Sequence, residues 1–388
     1  MLRKEVFSRA SWRAPISGLA ASLAMSFFGS IAGAQAETIK VTDIAGRSVD
    51  VKKGVERVIL GEGRMMYSLA VLDKDDPFGK VVGWKDDLIK YDPDAYRKFK
   101  TAFPKAEKIK NFGSPYSGDF SIESAIALDT DLVVLNLGNL FKAEETGVIE
   151  NLEKAGIPVI FIDFRKRPTQ NTVPSLQLLG RVFDKEQQAQ EFVDFYMTQM
   201  RRVTNIVDGI ANEDRPLVFM ENAPGWNPEF CCNTFGSANL GKLIDEAGGV
   251  NWGATVSPAY SVDTNLESIL AADPEVIIGT GANWAEDRPS VTSVLLGYDA
   301  EAAAVQERLK ALSDRNGWTE LKSVKNKRFH SVYHQFYNSP YHFVALQAFA
   351  KWFHPDEFED LDPQATFEEL HARFLPFSSS GVFWATLQ

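Results

Sequence analysis

The sequence predicts an α/β protein of two lobes, each a parallel sheet flanked by helices, joined by one long helix. Three observations carry this reading: an internal similarity displaced by 144 residues, apolar runs whose spacing alternates between strand and helix periods, and an unbroken amphipathic stretch between the two copies. The length of 388 residues agrees, because a single hydrophobic core usually stops growing at about 250–300 residues.

The internal similarity pairs Tyr116-Ser117-Gly118-Asp119-Phe120-Ser121-Ile122-Glu123-Ser124 with Tyr260-Ser261-Val262-Asp263-Thr264-Asn265-Leu266-Glu267-Ser268. Ala127 and Asp129 meet Ala271 and Asp273 without a gap, and the run Leu132 to Leu135 meets Val276 to Gly279. Each copy reads as a short helix, started by Asp and Ser or Thr, that feeds a buried parallel strand. The period is far longer than a solenoid repeat, so the copies imply two similar lobes rather than an array.

Other segments complete the lobes. Arg57-Val58-Ile59-Leu60 and Leu217-Val218-Phe219-Met220 read as first strands, and Gly156 to Asp163 and Arg328 to Tyr333 as later ones. Between the lobes, Asp184 and Gln187 have capping spacing for a helix carrying Phe192, Tyr196, Val203 and Val207 on one face to a stop at Gly209. About 24 residues at 1.5 Å each give roughly 36 Å, enough to brace both lobes and to keep closure on a ligand modest. The expected boundaries are a leader at 1–36, an N-terminal lobe at 37–183, the inter-lobe helix at 184–209 and a C-terminal lobe at 210–388.

The leader is read from its composition. Arg3, Lys4, Arg9 and Arg13 precede an apolar, small-residue run from Ile16 to Ala34, and Ala34-Gln35-Ala36 supplies a cleavage site, so secretion to the periplasm with cleavage near Ala36 is expected. An uncleaved anchor fits less well, because the run carries several Ser and Gly and no charged stop follows. Removing 1–36 takes away four Lys/Arg and one Glu, leaving 37 basic against 51 acidic residues and a net charge of −14. That balance argues against nucleic acid or anionic lipid as a partner. Cys231 and Cys232 are adjacent, so in an oxidising compartment they pair with each other or remain as two thiols.

Taken together, these stretches resemble the periplasmic binding proteins with a helical backbone, the group that includes binders of ferric siderophores, haem and vitamin B12. The likeness rests on Val41 to Val49 (VTDIAGRSV), Ser121 to Val134 (SIESAIALDTDLVV), Gly156 to Asp163 (GIPVIFID), Leu179-Gly180 and Glu246 to Asn251 (EAGGVN), in that order. It implies a monomeric protein that hands a small ligand to the permease of an ABC importer in the inner membrane. One Glu on each lobe would dock into the permease, and the matching positions are Glu123 and Glu267, the two acids that the repeat also selects. An acid in a helix's first turn is in any case favoured by the helix dipole.

Ligands of open parallel sheets bind beyond the carboxyl ends of the strands. This nominates Arg64, Tyr67, Trp84, Tyr116, Arg165, Trp226, Tyr260, Trp284, His334 and Tyr337 as ligand-binding residues. Arginine pairs with anionic oxygens while Trp and Tyr stack, a mixture suited to an Fe(III) complex such as a ferric siderophore, with haem and vitamin B12 as alternatives. His334 or Tyr337 is placed to ligate iron directly. A bare metal site and an intrinsic cofactor are not expected: His330, His334, His342, His354 and His371 all lie in the second lobe. No catalytic residue is nominated. Gly61-Glu62-Gly63 lacks the third Gly of a dinucleotide turn, and no G-x-S-x-G, H-E-x-x-H or phosphate loop occurs. The rival classes are an envelope enzyme acting on a chelate and an adhesion module. The tail from Lys351 to Gln388 is longer than two lobes require.

Overall fold

A hairpin opens the folded chain because Asp43 ties its turn. The strands β1 (Thr38–Thr42) and β2 (Ser48–Lys52) pair antiparallel, and the Asp43 carboxylate accepts from the backbone N–H of Arg47 at 2.9 Å and of Phe161 at 3.2 Å, pinning the turn to the sheet that follows. The computed structural model describes residues 37–227, 231–286 and 288–388, so the leader expected at 1–36 lies outside the described residues.

The first lobe is built on β3 (Val58–Leu60), β4 (Val81–Trp84), β5 (Lys110–Asn111), β6 (Leu132–Asn136) and β7 (Val159–Ile162), in the order β5-β4-β3-β6-β7 and parallel throughout. Every residue of β6 and β7 is buried, which is why they read as continuous apolar runs rather than alternating ones. The second lobe carries β8 (Leu217–Glu221), β9 (Asn233–Phe235), β10 (Val250–Asn251), β11 (Ser261–Asp263), β12 (Val276–Gly281), β13 (Phe329–Tyr333) and β14 (Trp384–Thr386). Its centre, β10-β8-β12-β13, is parallel as expected, but β9, β11 and β14 join antiparallel. The sheet is therefore mixed at its edges, where a short insertion and the returning tail pair by hairpin-like geometry.

The repeat is a real structural equivalence. Helix Ile122–Ala127 starts at Ser121, whose hydroxyl accepts from the N–H of Ser124 at 3.2 Å, and helix Leu266–Ala272 starts at Asn265, whose side chain accepts from the N–H of Ser268 at 2.9 Å. The caps are thus Ser121, as expected, and Asn265 in place of Thr264, while the upstream aspartates do not cap. Each helix feeds the strand, β6 or β12, that pairs with its lobe's first strand, β3 or β8.

The brace helix spans Glu186–Val207, slightly shorter than the expected 184–209. The expected cap is corrected: Asp184 sits at φ 55° and closes the preceding helix, Pro168–Phe183, while the brace starts at Lys185 without a side-chain cap. Packing holds this helix instead. Phe192, Tyr196, Val203 and Val207 are buried along one face, and the Tyr196 hydroxyl meets Nε2 of the buried His342 at 2.9 Å.

The tail joins both lobes. It adds β14 to β13, seats Phe374 against Phe192 of the brace at 5.1 Å, and places Phe377 against Phe99 of the first lobe at 5.0 Å between ring centroids. Cys231 and Cys232 are bonded to each other. Among the described residues no helix is long and apolar enough to cross a membrane.

Candidate functional site

The loop after β3 turns sharply because two glycines allow close approach. A Cβ on Gly61 would come within 2.5 Å of the Leu135 side chain, and one on Gly63 within 2.5 Å of the Lys85 carbonyl. This turn presents Glu62 and Arg64 to the second lobe. The Arg64 guanidinium bonds Asp87 at 2.6 Å and donates across the cleft to the hydroxyl of Tyr337 at 2.5 Å and to Oε1 of Gln335 at 3.1 Å. Arg165, from the loop after β7, pairs with Glu62 at 2.7 Å. Asn338 of the second lobe also donates to Glu62, at 3.2 Å.

Tyr337 is the focus of this arrangement. Both guanidiniums lie against its ring, Arg165 at 5.1 Å and Arg64 at 5.4 Å from the centroid. Beside it a wall of rings runs through the second lobe: His334 lies 4.5 Å from Tyr337, Trp284 5.0 Å from His334, and Trp226 5.0 Å from Trp284. The Trp284 indole N–H donates to the carbonyl of Tyr91 at 3.1 Å, linking the wall to the first lobe. These groups line an open pocket of about 280 Å³.

Electrostatics follow from burial and charge. Burial opposes the positive charge of Arg64, but Tyr337, Asp87 and Glu62 raise its proton affinity above the ordinary guanidinium value. Burial likewise opposes ionisation of Glu62, and Arg165, Arg64, Lys85 and the Asn338 amide together hold its carboxyl below the usual range. Burial, then Arg64 and Arg165, pushes His334 down to about 3, so its imidazole is neutral, with Nδ1 held by the Thr280 hydroxyl at 2.9 Å.

Of the ten residues nominated from sequence, Arg64, Trp226, Trp284, His334 and Tyr337 line this cavity. Arg165 lies directly behind Tyr337. Tyr260 lines a neighbouring opening of about 670 Å³ with Lys166, Arg167 and Lys242. Tyr116 supports the floor, its hydroxyl accepting from the N–H of Asn136 at 3.2 Å. Two nominations are corrected. Trp84 is buried in the first lobe's core against Phe78 and Tyr96, and Tyr67 is buried with its hydroxyl bonded to Asp92. Tyr91 and Asn222 complete the cavity without having been nominated individually. Tyr91 carries no motif and is brought in by the short helix Asp87–Tyr91 after β4. Glu123 and Glu267 are exposed in the first turns of the two equivalent helices. Among the described residues Glu221, Cys231 and Cys232 bring potential metal-ligand atoms within 4.8 Å of one another, but the sulfurs are bonded together and Arg315 grips both oxygens of Glu221 at 2.8 and 2.6 Å.

The sequence pattern of the family described as periplasmic binding protein matches residues 79–333. The chain belongs to this family. A TroA-like periplasmic binding protein from Veillonella parvula, FepB, superposes with a TM-score of 0.82 at 31% identity, covering 90% of this chain and all of that one. The molybdate-binding protein MolA of Haemophilus influenzae is 22% identical over 86% of this chain and 90% of its own length. The structure of MolA with molybdate superposes with a TM-score of 0.66. A periplasmic haem-binding protein from Roseiflexus, RhuT, shares the fold with a TM-score of 0.54, covering 78% of this chain and all of its own. As a periplasmic binding protein of the helical-backbone class, the chain is the substrate-binding component of an ABC transporter and not an enzyme.

Proposed function

We propose that this periplasmic binding protein captures an anionic metal complex, foremost a ferric siderophore, between its lobes in the periplasm after loss of a leader ending near Ala36. The observation that carries the reading is the pair of guanidiniums, buried Arg64 and half-buried Arg165, against the ring of Tyr337 beside a run of His and Trp rings. Guanidiniums pair with carboxylate or catecholate oxygens, and the rings stack on conjugated faces. The neutral His334 and the Tyr337 hydroxyl supply groups able to complete an iron coordination shell. Haem is the alternative within this reading, since its conjugated face would stack on the same rings and a haem-binding protein shares the fold. A smaller oxyanion is the second reading, favoured by the cavity volume of about 280 Å³ and by the molybdate-binding relative. Vitamin B12 has no specific observation in its favour.

Delivery would run through Glu123 and Glu267, a reading supported by their exposure in the first turns of equivalent helices. Glu123→Arg with Glu267→Arg is expected to abolish uptake in whole cells while leaving ligand affinity in solution unchanged. Uptake at the parental rate would remove both residues from the docking role. Titration of the mature protein with ferric tris-catecholate, haem and molybdate, followed by tryptophan fluorescence, tests the ligand class. Saturation by molybdate alone would replace the iron reading with the oxyanion one.

A further inference from the structure

We infer that Asn239 is a positioning residue that clasps the two lobes and gates the cleft. Its amide is fully used. One side-chain N–H donates to the carbonyl of Arg165 in the first lobe at 2.6 Å, the other to the carbonyl of Tyr337 in the second at 2.8 Å, and Oδ1 accepts from the N–H of Leu240 at 2.6 Å. An Asn side chain has two N–H donors on one nitrogen, and here each goes to a different lobe. The residue is completely buried and sits at φ 58°, ψ −133°, a backbone region that L side chains rarely adopt. A strained backbone at a point where two lobes meet marks a residue held there for its side chain.

The two carbonyls belong to the residues that face each other across the site, so the clasp sets the separation of Arg165 and Tyr337. It also lies between two spaces. Tyr337 lines the aromatic pocket of about 280 Å³, while Lys166 and Ala238, the immediate neighbours of Arg165 and Asn239, line the basic opening of about 670 Å³. Releasing the clasp joins the aromatic pocket to the basic one, which Lys166, Arg167 and Lys242 line. This inference stands apart from the ligand's identity and is testable without any ligand.

The test measures the inter-lobe distance by electron-spin dipolar spectroscopy in the ligand-free mature protein, labelled at Lys142→Cys and Lys310→Cys with the native cysteines left in their disulfide. Asn239→Gly suits the backbone conformation and removes only the side chain. It is expected to add a longer-distance population while the melting temperature stays within about 3 °C of the parent's. Asn239→Gln, which keeps an amide on a longer arm, is expected to reduce that population. A distance distribution in Asn239→Gly identical to the parent's would overturn the proposal. So would a longer population that appears only together with a collapse in melting temperature, because that would make Asn239 a folding residue and not a gate.

Discussion

At the residue scale, Asp92 couples the lobes through a titratable group. It accepts hydroxyl hydrogen bonds from Tyr67 of the first lobe and Tyr333 of the second. Burial pushes its carboxyl up to about 7, against the opposing effect of those two hydroxyls. The folded state therefore holds a proton that the unfolded chain releases near pH 4. The resulting stabilisation is complete in acid and is lost as pH rises from about 4 to about 7, an effect on the order of 4 kcal/mol. Asp92→Asn should remove that loss: urea denaturation at pH 5 and pH 8 should show a smaller difference in the variant than in the parent. An equal difference would mean that Asp92 does not hold the proton. The nearby Asp94 carboxyl is also raised by burial and stays in both proteins, so only the change between them is diagnostic. Residue-level reading from sequence was least successful here. Tyr67 and Trp84 follow strands and so fall among cleft candidates, yet whether a side chain at a strand end points to the cleft or the core depends on packing that no local pattern encodes. Arg64 and Tyr337, both nominated from loops after strands, do come together in the structure, the guanidinium donating to the hydroxyl.

At the element scale, the repeat was legible because capping and burial act over a few residues. Ser121→Ala and Asn265→Ala should each lower stability by about 1 kcal/mol in chemical denaturation, and a change near zero in both would detach the caps from the equivalence of the two helices. The brace was legible from its apolar spacing, but its start was not. Asp184 offers a capping side chain, yet the tight turn between the two helices takes it into the left-handed region, and packing fixes the helix end instead. Tyr196→Phe should cost about 1–3 kcal/mol, because it strands the buried imidazole of His342. The same change should not alter the inter-lobe distance that Asn239 sets. The antiparallel edges of the second sheet were not legible, since β9 and β11 are three residues each and carry no strand period of their own.

At the scale of the whole molecule, the lobes meet through more than a single tie. The brace, the tail and the Arg64, Asp92 and Asn239 contacts all cross between them, so closure is set by side chains as well as by the helix. The buried histidines act in the opposite sense to Asp92, so that acid weakens the fold through them. Burial holds His330 and His334 at about 3 and His342 and His371 at about 4, so the unfolded chain takes up protons that the folded one refuses. Their contribution is present above about pH 6.5 and lost as pH falls toward 4. Because Asp92 acts in the opposite sense over the same range, the check is a comparison: His330→Asn should shift the pH 7-to-4 difference in melting temperature in favour of acid relative to the parent, and an unchanged difference would contradict this. The class of protein was legible because several family-like stretches occur in order along the chain. The ligand was not, because a cleft assembled from loops 100 to 270 residues apart leaves no contiguous motif. The central claim is that the Arg64 and Arg165 guanidiniums make the cleft a receptor for an anionic metal complex, and calorimetric titration of the mature protein and its Arg165→Ala variant with a ferric tris-catecholate tests it most directly. The account predicts saturable one-to-one binding that weakens by about 30-fold or more in the variant, as loss of one partner in a buried charge pair does; equal affinity in the two proteins, or no binding by either, would contradict it.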